Sequence, residues 1–307
     1  LSGERIRVPS PAGELNVYVA GEGAPLLLVH SINAAASAAE VRPLHDYYRR
    51  TRRVFSVDLP GYGFSERKDL PYTPRSMTDG VIATMAMIRD TCGGQPIDAL
   101  AVSLSCEYLA RAAAEHPGAL RSIALVSPTG FKSGASRRRP PGSNLGIPGL
   151  YRLLRGPGWG RWVFTQLTRP AVIRYFLQRT WGGKVIDEEL WRYDVLTAKP
   201  AAAEFAPLRF LSGYLFSGDI HTIYEALDLP VWMSHGVRGD FTDYRGQRIV
   251  EGRANWRFST FPTGALPYFE VFDAFCAEYD GFLDDVAKHG GRSDPKAPSL
   301  AGRVIPV

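Results

Sequence analysis

Cysteine is scarce: 307 residues hold three, Cys92, Cys106 and Cys276, none in a CxxC or other paired spacing. That excludes a disulfide framework, and a reducing, cytoplasmic setting is expected. Long apolar runs are missing too. No stretch reaches the length that crosses a bilayer, and Leu-Ser-Gly-Glu-Arg at the start has no signal-peptide core. Nor does one sign of charge dominate: 36 Lys and Arg against 31 Asp and Glu leave +5, which gives no reason to expect a nucleic-acid partner. The sharpest cluster, Arg137-Arg138-Arg139, reads as a solvated loop rather than a phosphate or membrane contact.

What is present is enough for one large core. With 45% hydrophobic and 22% charged residues, the chain reads as a globular α/β protein with an insertion. Residues 5–9 and 14–20 alternate apolar and polar side chains across Ser10-Pro11-Ala12-Gly13, a hairpin at a sheet edge. Short apolar runs follow at 25–30, 53–58, 96–102, 121–126, 229–235 and 255–261. Helical stretches alternate with the first of these, at 40–48, 75–90 and 104–115. Buried strands alternating with helices predict a mostly parallel sheet covered on both faces, with ligands at the carboxyl ends of its strands.

Between residues 131 and 227 the rhythm stops. Pro, Gly, Arg and aromatics accumulate, with helical pieces at 149–154, 161–178, 187–198 and 205–211. Lying between two strands of one sheet, this segment is expected to be a helical cap over the strand ends, closing an apolar pocket. The core is then 1–130 and 228–287, and 288–307 a polar tail.

Within the third buried run, Ala101-Val102-Ser103-Leu104-Ser105 passes from strand to helix with small residues two before and two after Ser103. That is the steric requirement of a serine held on a sharp strand-to-helix turn, although serine also suits a helix N-cap. Other landmarks follow in order: Val29-His30-Ser31-Ile32, Asp58-Leu-Pro-Gly-Tyr-Gly-Phe-Ser65, Glu115-His116-Pro117, and the strand and loop from Pro230 to Asp240.

Together these residues resemble the α/β-hydrolase superfamily of lipases, esterases and related enzymes over nearly the whole chain. The resemblance implies Ser103 as nucleophile, Asp240 as the acid that orients the base, and the backbone amides of Ile32 and Leu104 as oxyanion donors. Asp243 is a second candidate acid, because Asp240 lies four residues after Gly236 instead of three. His30 is expected to support the oxyanion loop. No cofactor or metal is implied, the partner is a small apolar substrate, and a homodimer is left open.

One residue departs from the pattern. Where such enzymes write Gly-His-x-Pro-x-x-Glu, this chain reads Gly264-Ala265-Leu266-Pro267-Tyr268-Phe269-Glu270. Ala265 occupies the expected position of the catalytic histidine. Of the six histidines, His45 and His116 are assigned to surface helices, His289 to the tail and His235 to the strand before the acid loop, leaving His221 as the one that could swing in. Two readings compete. The first is a serine hydrolase of esters, lactones or thioesters disabled at Ala265; an introduced alanine is preferred here to evolutionary loss, because nucleophile, acid and oxyanion loop all remain. The second is a protein that binds a small molecule on the same scaffold without cleaving it. A carbon–carbon bond hydrolase is a lesser alternative. Glu107 is read as a buried partner of a cap arginine or as a solvent-facing side chain, and Cys106 as core filler.

Overall fold

A computed structural model describes residues 1–156 and 159–288. His289 and nearly all of the expected tail lie outside them. In chain order the core opens with β1 (Glu4–Ser10), β2 (Gly13–Ala20), β3 (Pro25–Val29), α1 (Arg42–Tyr48), β4 (Arg53–Asp58), α2 (Pro74–Thr91), β5 (Ile97–Val102), α3 (Ser105–Glu115) and β6 (Leu120–Val126). The insertion follows with α4 (Pro148–Leu154), α5 (Gly160–Leu167), α6 (Pro170–Trp181), α7 (Glu188–Thr197), α8 (Phe205–Leu211) and α9 (Ile220–Ala226). The core closes with β7 (Val231–Gly236), β8 (Trp256–Phe261), α10 (Pro267–Glu270) and α11 (Phe272–Lys288).

The eight strands form one sheet in the order β1-β2-β4-β3-β5-β6-β7-β8, antiparallel where β1 meets β2 and β2 meets β4, and parallel from β4 onward. Strand period two divides each central strand between two cores. Leu27 and Val29 of β3, with Ala99 and Ala101 of β5, pack against Met77, Val81 and Leu109 on one face. Leu26, Leu28, Leu100 and Val102 pack against Leu44, Tyr48 and Tyr279 on the other. All four β3 side chains named are fully buried, which is why the strand reads as an unbroken apolar run. Each such leucine contributes about 1.5–3 kcal/mol by leaving water.

Helix ends follow local chemistry. Thr73 and Ser76 form a reciprocal capping box at the start of α2, with Pro74 in the first turn. The single helix expected at 161–178 is two, because Pro170 cannot continue α5 and instead starts α6. Beyond the Asp240 loop the chain makes a 3₁₀ turn at Arg245–Ile249 before β8. His45, expected on a surface helix, is fully buried: Nδ1 contacts Ser56 Oγ at 2.8 Å, and Nε2 contacts the Ser2 carbonyl at 3.1 Å. Among the described residues, no helix is long and apolar enough to cross a membrane.

Candidate active site

β5 ends at Val102, and Ser103 turns the chain at φ 55°, a left-handed conformation that costs a residue with a Cβ about 1–2 kcal/mol. Its amide donates to the Val126 carbonyl (2.8 Å), and its carbonyl accepts from Cys106 N and Thr129 N, so the turn is fastened to β6 and to the first turn of α3. Ala101 and Ser105, the small neighbours required by the turn, are fully buried. Ser103 itself is half-buried, and among the described residues its hydroxyl has no hydrogen-bond partner.

The loop after β3 is held from below. His30 is buried, with Nδ1 donating to the Ser31 carbonyl (2.5 Å) and Nε2 accepting from Leu59 N–H (3.0 Å), which fixes a neutral tautomer. Burial pushes its pKa down, in keeping with that state. The ring thus joins the loop after β3 to the start of the loop after β4. Glu40 accepts from the amide of Ser31 (2.5 Å) and from its hydroxyl (2.8 Å); burial raises its carboxyl to about 7 against the pull of those two bonds. Asp58 gathers the amides of Ala38 (2.7 Å) and Phe64 (2.9 Å) and the side chain of Asn16 (2.9 Å). Among the described residues, neither Ile32 N–H nor Leu104 N–H has an acceptor, although both side chains are buried.

The loops that carry Asp240 and Ala265 meet on the end of α6. Asp240 N donates to the Arg179 carbonyl (3.4 Å), and Ala265 N to the next one, Thr180 (2.9 Å). The two loops therefore lie side by side. Gly239 (φ 85°) and Gly264 permit this, since a Cβ at Gly239 would lie 2.5 Å from the Arg179 carbonyl and one at Gly264 would strike that of Thr180. The Ala265 carbonyl accepts from the buried Ser127 hydroxyl (2.7 Å), and Ser127 follows β6 directly beside the elbow. The carboxylate of Asp240 is already engaged. It is gripped by the Arg179 guanidinium through two contacts, one of 2.8 Å, while remaining partly exposed. Asp243 turns to Arg245 (2.9 Å) and to Ser133 N, which together hold its pKa down to about 2.

The remaining histidines are accounted for. His221 is locked, Nδ1 accepting from Arg137 N (3.3 Å) and Nε2 donating to the Gly130 carbonyl (2.6 Å). His235 stacks on Tyr244 with ring centroids 4.0 Å apart and donates to the Gly236 carbonyl. His116 sits exposed at the end of α3.

Glu107 is resolved as the buried partner of an arginine of the insertion: Arg137 approaches to 2.5 Å, Thr129 donates its hydroxyl, and Ser217 N–H binds the other oxygen at 2.8 Å. The arginine cluster is thus only partly solvated. Cys106 is fully buried with its thiol pKa pushed up by burial, an inert core side chain. Glu40 and Ser127, the latter also left-handed at φ 49°, escaped the sequence reading; Ser127 at a strand end before proline carries a faint turn signal, Glu40 none. Among the described residues, no group of three or more His, Cys, Asp or Glu side chains could hold a metal ion.

A sequence model of the α/β-hydrolase fold matches residues 24–149. No curated protein matches. Solved structures that resemble the chain include a meta-cleavage product hydrolase of Pseudomonas fluorescens (TM-score 0.68, 16% identity, 91% of this chain and 97% of that one). A thermophilic esterase of Thermogutta terrifontis is similar at TM-score 0.68 and 17% identity, over 92% and 99% of the two chains. The enol-lactonase of Burkholderia xenovorans gives 0.66 and 17%, over 91% and 100%.

Proposed function

With the α/β-hydrolase fold as premise, we propose that this chain is a serine hydrolase scaffold for carboxylic esters, lactones or thioesters with an apolar group, halted for want of a base. The observation that carries the reading is Ser103, held at φ 55° between β5 and α3, with the amides of Ile32 and Leu104 left without acceptors. In the reaction Ser103 Oγ attacks the substrate carbonyl carbon, and the C=O electron pair moves onto oxygen, where those two N–H groups receive it. The tetrahedral adduct then expels the alcohol or thiol, and water releases the acyl group. Acylation needs two proton transfers, off Oγ and onto the leaving group, and deacylation two more, off the attacking water and back onto Oγ. Ala265 has nothing with which to make them. The chain as it stands is therefore expected to retain only the residual rate that an oxyanion site provides.

The test is Ala265→His, assayed on aryl esters of short and medium acyl length. A gain that disappears in Ser103→Ala/Ala265→His supports the reading. Activity unchanged by Ala265→His, or equal with and without Ser103, overturns it.

One observation favours a non-catalytic binding protein instead: α6 is docked on both loops, with Asp240 already paired to Arg179. That reading expects an intact, noncovalent small molecule in native mass spectrometry and no rescue by histidine. Carbon–carbon bond hydrolysis, the activity named for one structural neighbour, would use the same serine and amides, and is told apart by substrate alone.

A further inference from the structure

Among the described residues, the eleven exposed large apolar side chains are not scattered. Nine lie in the insertion, among them Ile147, Leu153, Trp159, Trp162, Tyr175 and Phe176, and the other two, Val237 and Phe241, lie in the acid loop on which α6 docks. Trp162 is 59% exposed and Phe176 51%, where a core residue would be near zero. The helices that bear them are contiguous, α5 packing on α6, α6 on α7, and α4 and α5 on α8. An open groove of about 340 Å³ runs between α5 and α7, lined by Phe164, Pro170 and Val195 together with Arg161, Arg169 and Lys199.

Charge is divided in the same way. Residues 131–227 carry fourteen Lys and Arg against seven Asp and Glu, whereas 1–130 with 228–287 carry eighteen against twenty-three. None of the seven acids is free to offset the cations outside. Asp187 and Glu189 pair with Arg42, Glu188 with Arg174, Glu204 with Arg161, Asp219 with Arg111 and Glu225 with Arg138, while Asp194 is buried. Arg152, Arg169, Lys184 and Lys199, by contrast, are exposed and in no ion pair among the described residues. The Arg137–Arg139 cluster has no part in this, since Arg137 and Arg138 face glutamates.

We propose that the outer face of the insertion docks on an anionic lipid bilayer. Exposed apolar side chains and unpaired cations carried by one segment supply the two signals that surface binding needs, and tryptophan is the side chain that favours the headgroup boundary. Aliphatic members such as Val185 and Leu196 give a nucleic acid nothing to stack on. The inference stands whether or not Ser103 turns over an ester.

The full chain is sedimented with vesicles of equal parts phosphatidylcholine and phosphatidylglycerol, and with phosphatidylcholine alone, at low and high salt. Binding to the anionic vesicles is expected about tenfold or more above that to neutral ones, weakened by salt. Trp162→Ser/Phe176→Ser and Arg169→Glu/Lys199→Glu, all at exposed sites, are each expected to reduce it about fivefold or more while the circular dichroism spectrum is unchanged. No binding to anionic vesicles overturns the proposal, as does binding that neither double variant weakens. So does salt-sensitive self-association without vesicle binding, which would assign the face to a second copy of the chain.

Discussion

The two halves of the candidate site are built by different means. The half around Ser103 is made mostly of backbone: its left-handed turn, the amides of Ile32 and Leu104, and a loop pinned by His30, Glu40 and Asp58. The half made by the loops of Asp240 and Ala265 depends on two side chains, one of them a methyl group and the other paired with arginine. Backbone geometry is fixed by the sheet and persists as long as the fold does. A side chain can differ while its loop keeps its place, and the loop at Ala265 is held through that residue's own amide and carbonyl.

The contrast can be broken first at Ala265. If only the base is wanting, Ala265→His raises kcat/KM on aryl esters by a factor on the order of 10² or more, read in a steady-state assay. Next comes the fastening between the elbow helix and the insertion. Glu107→Ala strands Arg137 and the Ser217 amide, and a loss of about 3–5 kcal/mol is expected in urea unfolding.

The loop after β3, pinned by Glu40 at Ser31, should respond to pH. Burial lifts Glu40 to about 7 from an ordinary 4.5, so the folded state holds its proton more tightly than the unfolded chain does. Its contribution, about 3 kcal/mol at most, is complete below pH 4.5 and is lost as pH rises through 7. Asp194, also raised by burial and by the nearby Glu40, acts in the same direction. Melting temperatures of Glu40→Gln between pH 4 and 8 are expected to vary less than those of the parent. The smallest effect sharpens the contrast at its centre: Ser103→Gly relieves the left-handed turn and gains about 0.5–1 kcal/mol in urea unfolding, whereas Ser103→Ala keeps a Cβ there and gains nothing.

How much of this could be read in the sequence divides along a similar line. The sheet was legible because β3, β4 and β5 are buried on both faces and write that burial as apolar runs. The elbow was legible because a steric rule fixes residues on either side of it. What escaped depends on partners far along the chain. His45 reads as a helix-face histidine until Ser56 and the Ser2 carbonyl close on it. The grip of Arg179 on Asp240 crosses from α6 to the loop after β7, and no local pattern announces it. Pro170 divides α5 from α6 within a stretch whose apolar pattern runs on across it.

Glu107 has a consequence for how the insertion is tied down. One of its oxygens takes Arg137, near where the insertion leaves the sheet, and the other takes the amide of Ser217, near where it returns. A single carboxylate thereby clamps the two feet of a long arch, shortening the loop the chain must close much as a covalent crosslink would. Between the feet, α6 still has to carry the loops of Asp240 and Ala265, so a graft of unrelated helices that keeps residues 170–181 should leave the strained serine where it is.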